Sequence, residues 1–196
     1  MPLLYNQNYD LQIKELQYQV AAYEDQTAYK TLFFHLFPSL QNFAFSIVKS
    51  RELAEEIASD LMLEVWIRRQ KLMEIENLKL YLFVAAKHAA INKLKQEIKN
   101  SKFSINDMQV EFISEYGNPE QSAELHELQI TITRAVKELP PSCQLIYKLA
   151  KEDRLKYKDI AHLLNLSIKT IDNQLAVALK KIAQSLKFYH AKKNNS

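Results

Sequence analysis

Between Tyr157 and Ile182 the chain sets amides, hydroxyls and lysines apart from an apolar set. Ser167, Lys169, Thr170, Asn173, Gln174, Val177, Lys180 and Lys181 fall largely outside Ile171, Leu175, Ala178, Leu179 and Ile182. That face suits a polyanion carrying sequence information. Amide side chains bond base edges in a major groove, and lysines together with a helix N-terminus bind phosphates. Other chemistry finds little support. Ser46-Ile47-Val48-Lys49 spells an S-x-x-K pattern without either companion motif of that enzyme class. The five His residues are scattered along the chain, so no local metal pair exists. A single Gly rules out a glycine-rich phosphate loop. Cys143 is alone, which excludes an internal disulfide, suits a reducing compartment and reads as a packed small residue. The expectation is therefore a binding protein and no enzyme, with neither cofactor, metal nor small-molecule substrate.

The elements that must carry this face are helices. Spacing predicts short helices over about 156–164 and 168–186, joined through Asn165, Leu166 and Ser167. A helix-turn-helix needs a small residue where its helices cross, here Ala161, and apolar anchors that fix the crossing, here Ile160, Leu164, Leu166 and Ile171. Ser167 is expected to cap the second helix. Asn165 stands at the turn position that commonly holds Gly, and Asn tolerates the left-handed conformation best after Gly. Upstream, Pro140-Pro141 predicts a break, with Ser142 capping a helix over 142–151, and a helical domain resumes near Ala123.

The first half shows the same 3.6-residue period. Tyr29, Leu32, Phe33, Leu36, Leu40, Phe43 and Ile47 mark one helix, with Pro38 predicting a break or kink inside it. Leu53, Ile57, Leu61 and Val65, beside Ala54 and Ala58, mark another from Arg51 to Arg69. Leu80, Phe83, Val84, Ile91 and Leu94 form the stripe of a third over about 78–99. Residues 100–122 lose this order and hold the lone Gly117 with Asn118-Pro119, so they read as part of a linker. With 47% hydrophobic and 25% charged residues the chain is globular, and so few glycines and prolines point to an all-α protein of two small helical domains. No apolar run is expected to span a membrane, and the N-terminus has no secretory pattern, so the expected location is cytoplasmic.

Charge is arranged in blocks. Residues 1–66 hold 4 Lys/Arg against 9 Asp/Glu, and residues 67–102 hold 9 against 3. Residues 103–133 have 6 acids and no base, whereas 134–196 hold 13 bases against 5 acids. Two basic blocks with an acidic one between them predict two polyanion-facing surfaces and a joining segment with a different task.

Two stretches then carry a resemblance. SRELAEEIASDLMLEVWIRRQKL followed by IENLKLYLFVAAKHAAINKLKQ resembles region 2 of the sigma factors of bacterial RNA polymerase, through Ala54-Glu55-Glu56-Ile57, Asp60, Trp66, Tyr81-Leu82 and Ile91-Asn92-Lys93-Leu94-Lys95. The helix-turn-helix, with LPPSCQLIYKLA before it, resembles region 4. With only these two regions, the chain is similar to the extracytoplasmic-function group of the sigma-70 family. The resemblance implies an N-terminal extension 1–27, region 2 at 28–97, a flexible acidic linker 98–122, region 4 at 123–190 and a tail 191–196. It implies that Glu55, Glu56, Asp60 and Glu64 dock on the clamp helices of the polymerase β′ subunit. The β flap is a further expected contact on core RNA polymerase. Arg68, Arg69, Lys71, Asn77, Lys79, Tyr81, Lys87, His88, Asn92 and Lys95 would hold the melted minus-ten element. The exposed set of the helix-turn-helix would read the minus-thirty-five element of promoter DNA. The linker would thread into channels that otherwise hold nucleic acid, Trp66 reads as a core anchor, and an anti-sigma factor is an implied partner.

Departures from the family pattern concern specificity. Asn165 replaces the turn Gly, Gln174 and Val177 stand where basic residues are common, and His88, Asn92 and Lys95 replace a frequent Asn, Asp and Arg. Two other readings compete. A stand-alone helix-turn-helix regulator would need an α/β receiver, and residues 1–100 are helical in pattern. A helical scaffold would leave both basic faces as solvated surface.

Overall fold

The computed structural model describes residues 3–97 and 123–194, all helix and connecting turns with no strand among them, so the linker reading of 98–122 lies outside the described residues. The chain divides into two compact units, Met1–Phe103 and Ser104–Ser196.

The first unit is built around α2 (Gln26–Val48), which packs against α1 (Leu3–Tyr23), α3 (Arg51–Ile67) and α4 (Leu78–Glu97). Each later helix starts on a side chain that accepts its unpaired amides. Asp25 Oδ1 accepts from the amides of Thr27 and Ala28 at 2.7 and 3.1 Å, Ser50 Oγ from Leu53 at 3.2 Å, and Asn77 Oδ1 from Leu80 at 3.1 Å. The core joins Leu32, Leu36, Leu40, Phe43 and Ile47 of α2 to Ile57, Met62 and Val65 of α3 and to Leu82, Phe83, Ala86 and Ala90 of α4. Phe43 meets Phe83 at 5.1 Å between ring centroids.

Three expectations change here. Of the break or kink expected at Pro38, the break is absent, because the helix over 26–48 is continuous through it. The carbonyl that loses its amide partner belongs to Phe34, which is 66% exposed, and the packing of the opposite face holds the helix together. That helix is also long and apolar enough to cross a membrane, contrary to the expectation for the chain, yet it is the core helix of this unit and its apolar length is spent on packing. In α4 the buried stripe passes through Leu78, Leu82, Phe83, Ala86 and Ala90, leaving Leu80, Val84, Ile91 and Leu94 only half-buried. The alanines, too small to stand out by hydrophobicity, mark where α4 approaches its neighbours closely.

The N-terminal extension holds a helix. Ile13, Gln17 and Val20, at i, i+4 and i+7, are the buried face of α1, which packs on α2 and on the 3-10 turn Arg69–Glu74.

In the second unit, α5 (Ala123–Lys137) and α6 (Pro141–Tyr147) pack on α8 (Ile168–Asn194), as does α7 (Tyr157–Leu164). Ala135, Val136, Leu139, Cys143, Ala178 and Ile182 form one cluster, with Ile132, Tyr147 and Leu186 at its edge. Ser142 does not cap α6. Pro140 holds the cap position in extended conformation and Pro141 opens the helix, where its missing amide costs nothing. Gln144 instead turns back, donating to the carbonyl of Lys137, the last residue of α5, at 3.0 Å and to that of Leu139 just beyond it at 2.6 Å. The expected single helix over 142–151 widens into a π turn at Lys148–Glu152, with the Asp153 amide on the Lys148 carbonyl at 2.9 Å. α8 extends past the expected end at 186, because nothing before the tail breaks it.

Candidate nucleic-acid interface

The turn between α7 and α8 is set by backbone geometry. Asn165 has φ 55° and ψ 47°, the left-handed region. Its amide donates to the His162 carbonyl at 3.3 Å, and the Leu166 amide reaches back to the Ala161 carbonyl at 2.9 Å. These paired bonds are the Schellman arrangement that closes a helix. Two residues later Ser167 Oγ accepts from the Thr170 amide at 3.0 Å and lies 2.7 Å from the Thr170 hydroxyl, starting α8 as expected. Ile160, Ala161, Leu164 and Ile171 are all buried, and Leu166 is half-buried.

On α8, Lys169, Asn173, Val177 and Lys180 share one exposed strip at i, i+4, i+8 and i+11, beside the exposed Ser167. Thr170, Gln174 and Lys181 form a second, half-buried strip toward α5 and α6. Two of these are engaged by the protein. Gln174 Oε1 accepts a hydrogen bond from the Cys143 thiol. Lys181 Nζ lies 2.7 Å from Glu138 Oε2. The hydrogen bond from Lys181 and its charge hold the Glu138 carboxyl below its ordinary range, and burial pushes the Cys143 thiol up. Leu179, expected with the apolar set, is 45% exposed.

The first unit presents two surfaces. Along α3, Glu56, Asp60, Leu63 and Ile67 lie on one exposed stripe at i, i+4, i+7 and i+11, flanked by Glu55 and Glu64. Glu56 is bridged to Lys93 of α4 at 2.7 Å and Glu64 to Arg68 at 2.6 Å, whereas Glu55 and Asp60 have no described ion pair. Leu63 and Ile67, 54% and 60% exposed, were missed in the sequence. Their i+7 and i+11 spacing from Glu56 is the signal that could have found them. Along α4, Tyr81, His88, Asn92 and Lys95 form a second exposed stripe, with Lys87 half-buried beside it and Asn77 capping the helix.

Between these helices, Arg68 and Lys71 are exposed, but two expected DNA ligands face inward. The Arg69 guanidinium lies 5.0 Å above the Trp66 ring, donates to the Trp66 carbonyl at 3.1 Å and pairs with Glu24 at 2.9 Å. Lys79 is only 5% exposed, with Nζ 4.6 Å above the Tyr9 ring. For both, the aliphatic stem and the cation find an aromatic partner within the unit, so charge count overstated what the surface offers. Trp66 itself is half-buried against Tyr29, 5.0 Å between centroids, in keeping with an anchoring role.

The family model of sigma-70 region 2 matches residues 32–99, and that of sigma-70 region 4 matches residues 129–182. Among solved structures, the chain is similar to the sigma factor RpoE of Bartonella quintana, solved with the anti-sigma factor NepR. Identity there is 20%, covering 81% of this chain and 96% of that one, with a TM-score of 0.49. It is also similar to SigE of Rhodobacter sphaeroides, solved with the anti-sigma ChrR, at 22% identity over 86% and 96% of the two chains and a TM-score of 0.41. A search of the curated proteins finds no match.

Proposed function

Because the chain belongs to the sigma-70 family, with regions 2 and 4 paired as in its extracytoplasmic-function group, we propose how its surfaces divide the work of promoter recognition. The protein is a promoter-directing, non-enzymatic subunit of transcription initiation, whose partners are core RNA polymerase and promoter DNA.

The stripe of Glu56, Asp60, Leu63 and Ile67 on α3, with Glu55 and Glu64, docks on the polymerase β′ clamp helices. Its acids steer the encounter and its two apolar side chains supply area that loses water on contact. The α4 stripe of Tyr81, His88, Asn92 and Lys95, with Arg68, Lys71 and the half-buried Lys87, receives the opened minus-ten strand. An exposed aromatic ring stacks on an unpaired base while cations neutralise the backbone. Arg69 and Lys79 act from inside as supports of that surface. On α8, Asn173 and Gln174 face base edges of the minus-thirty-five element, Val177 offers an apolar contact, and Lys169, Lys180 and Lys181 meet phosphates. The Cys143 thiol occupies the Gln174 oxygen, so the Gln174 amide nitrogen is the group offered to the groove, and it selects an acceptor edge.

Residues 28–97 serve as region 2 and 123–190 as region 4, with 98–122 between them and the β flap as a further contact. The protein works in the cytoplasm, where polymerase and promoter are, and is held in check by an anti-sigma protein, the kind of partner present in both solved structures named above.

The observation that supports this reading is the presence, in one chain, of two separate nucleic-acid-type strips and an acidic-apolar stripe on α3 just ahead of the first basic segment. Run-off transcription with purified core polymerase and genomic promoter fragments tests it. Discrete transcripts that require the chain are expected. Binding of the chain alone to duplex DNA with no transcripts would identify a stand-alone regulator instead.

A further inference from the structure

The 3-10 turn Arg69–Glu74 joins α3 to α4, between the polymerase-facing stripe and the minus-ten strip. Only Leu72 of this turn is fully buried, while Gln70, Lys71, Met73 and Glu74 point outward. A turn that buries so little is expected to be loose unless something else holds it.

That something is α1, which lies wholly before residue 32, where the region 2 match begins. Gln17 is 6% exposed, and its carboxamide nitrogen donates both to the Leu72 carbonyl at 2.5 Å and to the Ile75 carbonyl at 2.8 Å. A primary amide has two N–H groups, and both are spent on the C-terminal end of the turn. At the other end, Glu24 holds the Arg69 guanidinium at 2.9 Å while Arg69 rests on Trp66. Glu24 does so with a left-handed backbone, φ 52°, a conformation unfavourable for an L-residue with a long side chain. α1 and the residue just after it, Glu24, thus grip the turn at both ends and leave its middle facing solvent.

We propose that α1 and the connection after it preset the Arg69–Ile75 turn for the opened minus-ten strand, with Gln17 of α1 and Glu24 of the connection as positioning residues. The inference rests on the promoter-opening role given above. A preset turn removes an ordering cost that strand capture would otherwise bear. Gln70, Lys71 and Met73 are then held where an unpaired base and its phosphate can meet an amide, a cation and an apolar side chain at once.

The test uses the full chain with core polymerase and a promoter fragment selected from genomic DNA by the wild-type holoenzyme. Gln17→Met keeps the buried volume and removes both donors. Glu24→Lys sets like charge against Arg69, and Glu24→Gln keeps an acceptor for it. The expected result is holoenzyme assembly within twofold of wild type for all three. Permanganate-reactive minus-ten thymines should drop about tenfold for Gln17→Met and Glu24→Lys, with most of the signal recovered in Glu24→Gln. Hydrogen exchange at the amides of 70–75 should speed up in the two impaired variants only, which separates a loosened turn from a misfolded unit. Unchanged thymine reactivity in Gln17→Met and Glu24→Lys would overturn the proposal, as would lost opening with unchanged exchange at 70–75. If the wild-type chain opens no promoter, the function itself falls, a result distinct from either.

Discussion

Asn165 offers the sharpest check on the geometry of the DNA-reading turn. Its left-handed backbone costs an ordinary L-residue roughly 1–2 kcal/mol, a penalty that Asn partly escapes and Gly avoids. Asn165→Ala should therefore lose about 1 kcal/mol, and Asn165→Val more, since branching at Cβ worsens the same clash. Asn165→Gly removes the strain but enlarges the unfolded ensemble by about 0.4–1 kcal/mol, so the two effects nearly cancel. For a unit the size of Ser104–Ser196, 1 kcal/mol corresponds to a fall of about 4–8 °C in Tm. The chain has one Trp, Trp66, in the first unit. Its fluorescence follows that unit alone, while far-UV circular dichroism follows both. The expected order of melting for the second unit is Gly and Asn together, then Ala, then Val, with the Trp66 transition unmoved. If the Ala and Val variants melt with the wild type, Asn165 is not held left-handed, and the crossing of α7 and α8 needs another explanation.

Other consequences follow from the same contacts. Asp60→Lys should abolish pull-down of core polymerase while leaving the dichroism spectrum intact, and Leu63→Asp should weaken it at least tenfold; normal assembly in both would remove the α3 docking stripe. Glu138→Gln should free Lys181, raising duplex affinity a few-fold at low salt and steepening the salt slope by up to about one, whereas Lys181→Ala should flatten it equally for all promoters. Because Glu138 has a lowered pKa, its ion pair adds stability above the ordinary carboxylate value and loses it as pH falls through the lowered one. Melting curves of wild type and Glu138→Gln should differ at neutral pH and converge in acid. Cys143→Ala should relax base preference at the position read by Gln174, and the wild-type thiol, buried and raised in pKa, should react slowly with iodoacetamide until the second unit unfolds.

How much was legible depends on whether a signal is local. The positions Ile160, Ala161, Leu164 and Ile171 are close in sequence, and their spacing states the crossing directly. Ser167 at the start of α8 is equally local, because a cap bonds its own helix. Ser142 failed for a local reason too, since two consecutive prolines settled the helix start before a hydroxyl was needed. The candidate site was read less well, because exposure is a property of neighbours. Arg69 and Lys79 counted as cations for DNA, yet Trp66 and Tyr9 take them, and Tyr9 lies in a stretch where no helix was expected. α1 escaped notice because its inner face is Ile13, Gln17 and Val20, with a polar residue at the centre of the stripe.

The sequence by itself determined the all-helical class, the near-absence of Gly, the turn at Asn165, the blocks of charge and the two family patterns. Each is carried by residues a few positions apart, where backbone sterics, capping and the 3.6-residue period act. Tertiary structure decided which charges remain available. It bridged Glu56 to Lys93 and Lys181 to Glu138, turned Gln174 to Cys143 and laid α1 over the 3-10 turn. These pairings join residues from 31 to 55 positions apart, so only tertiary packing brings them within bonding distance. A pattern read along the chain records which groups are present, and burial determines which of them can still meet a partner.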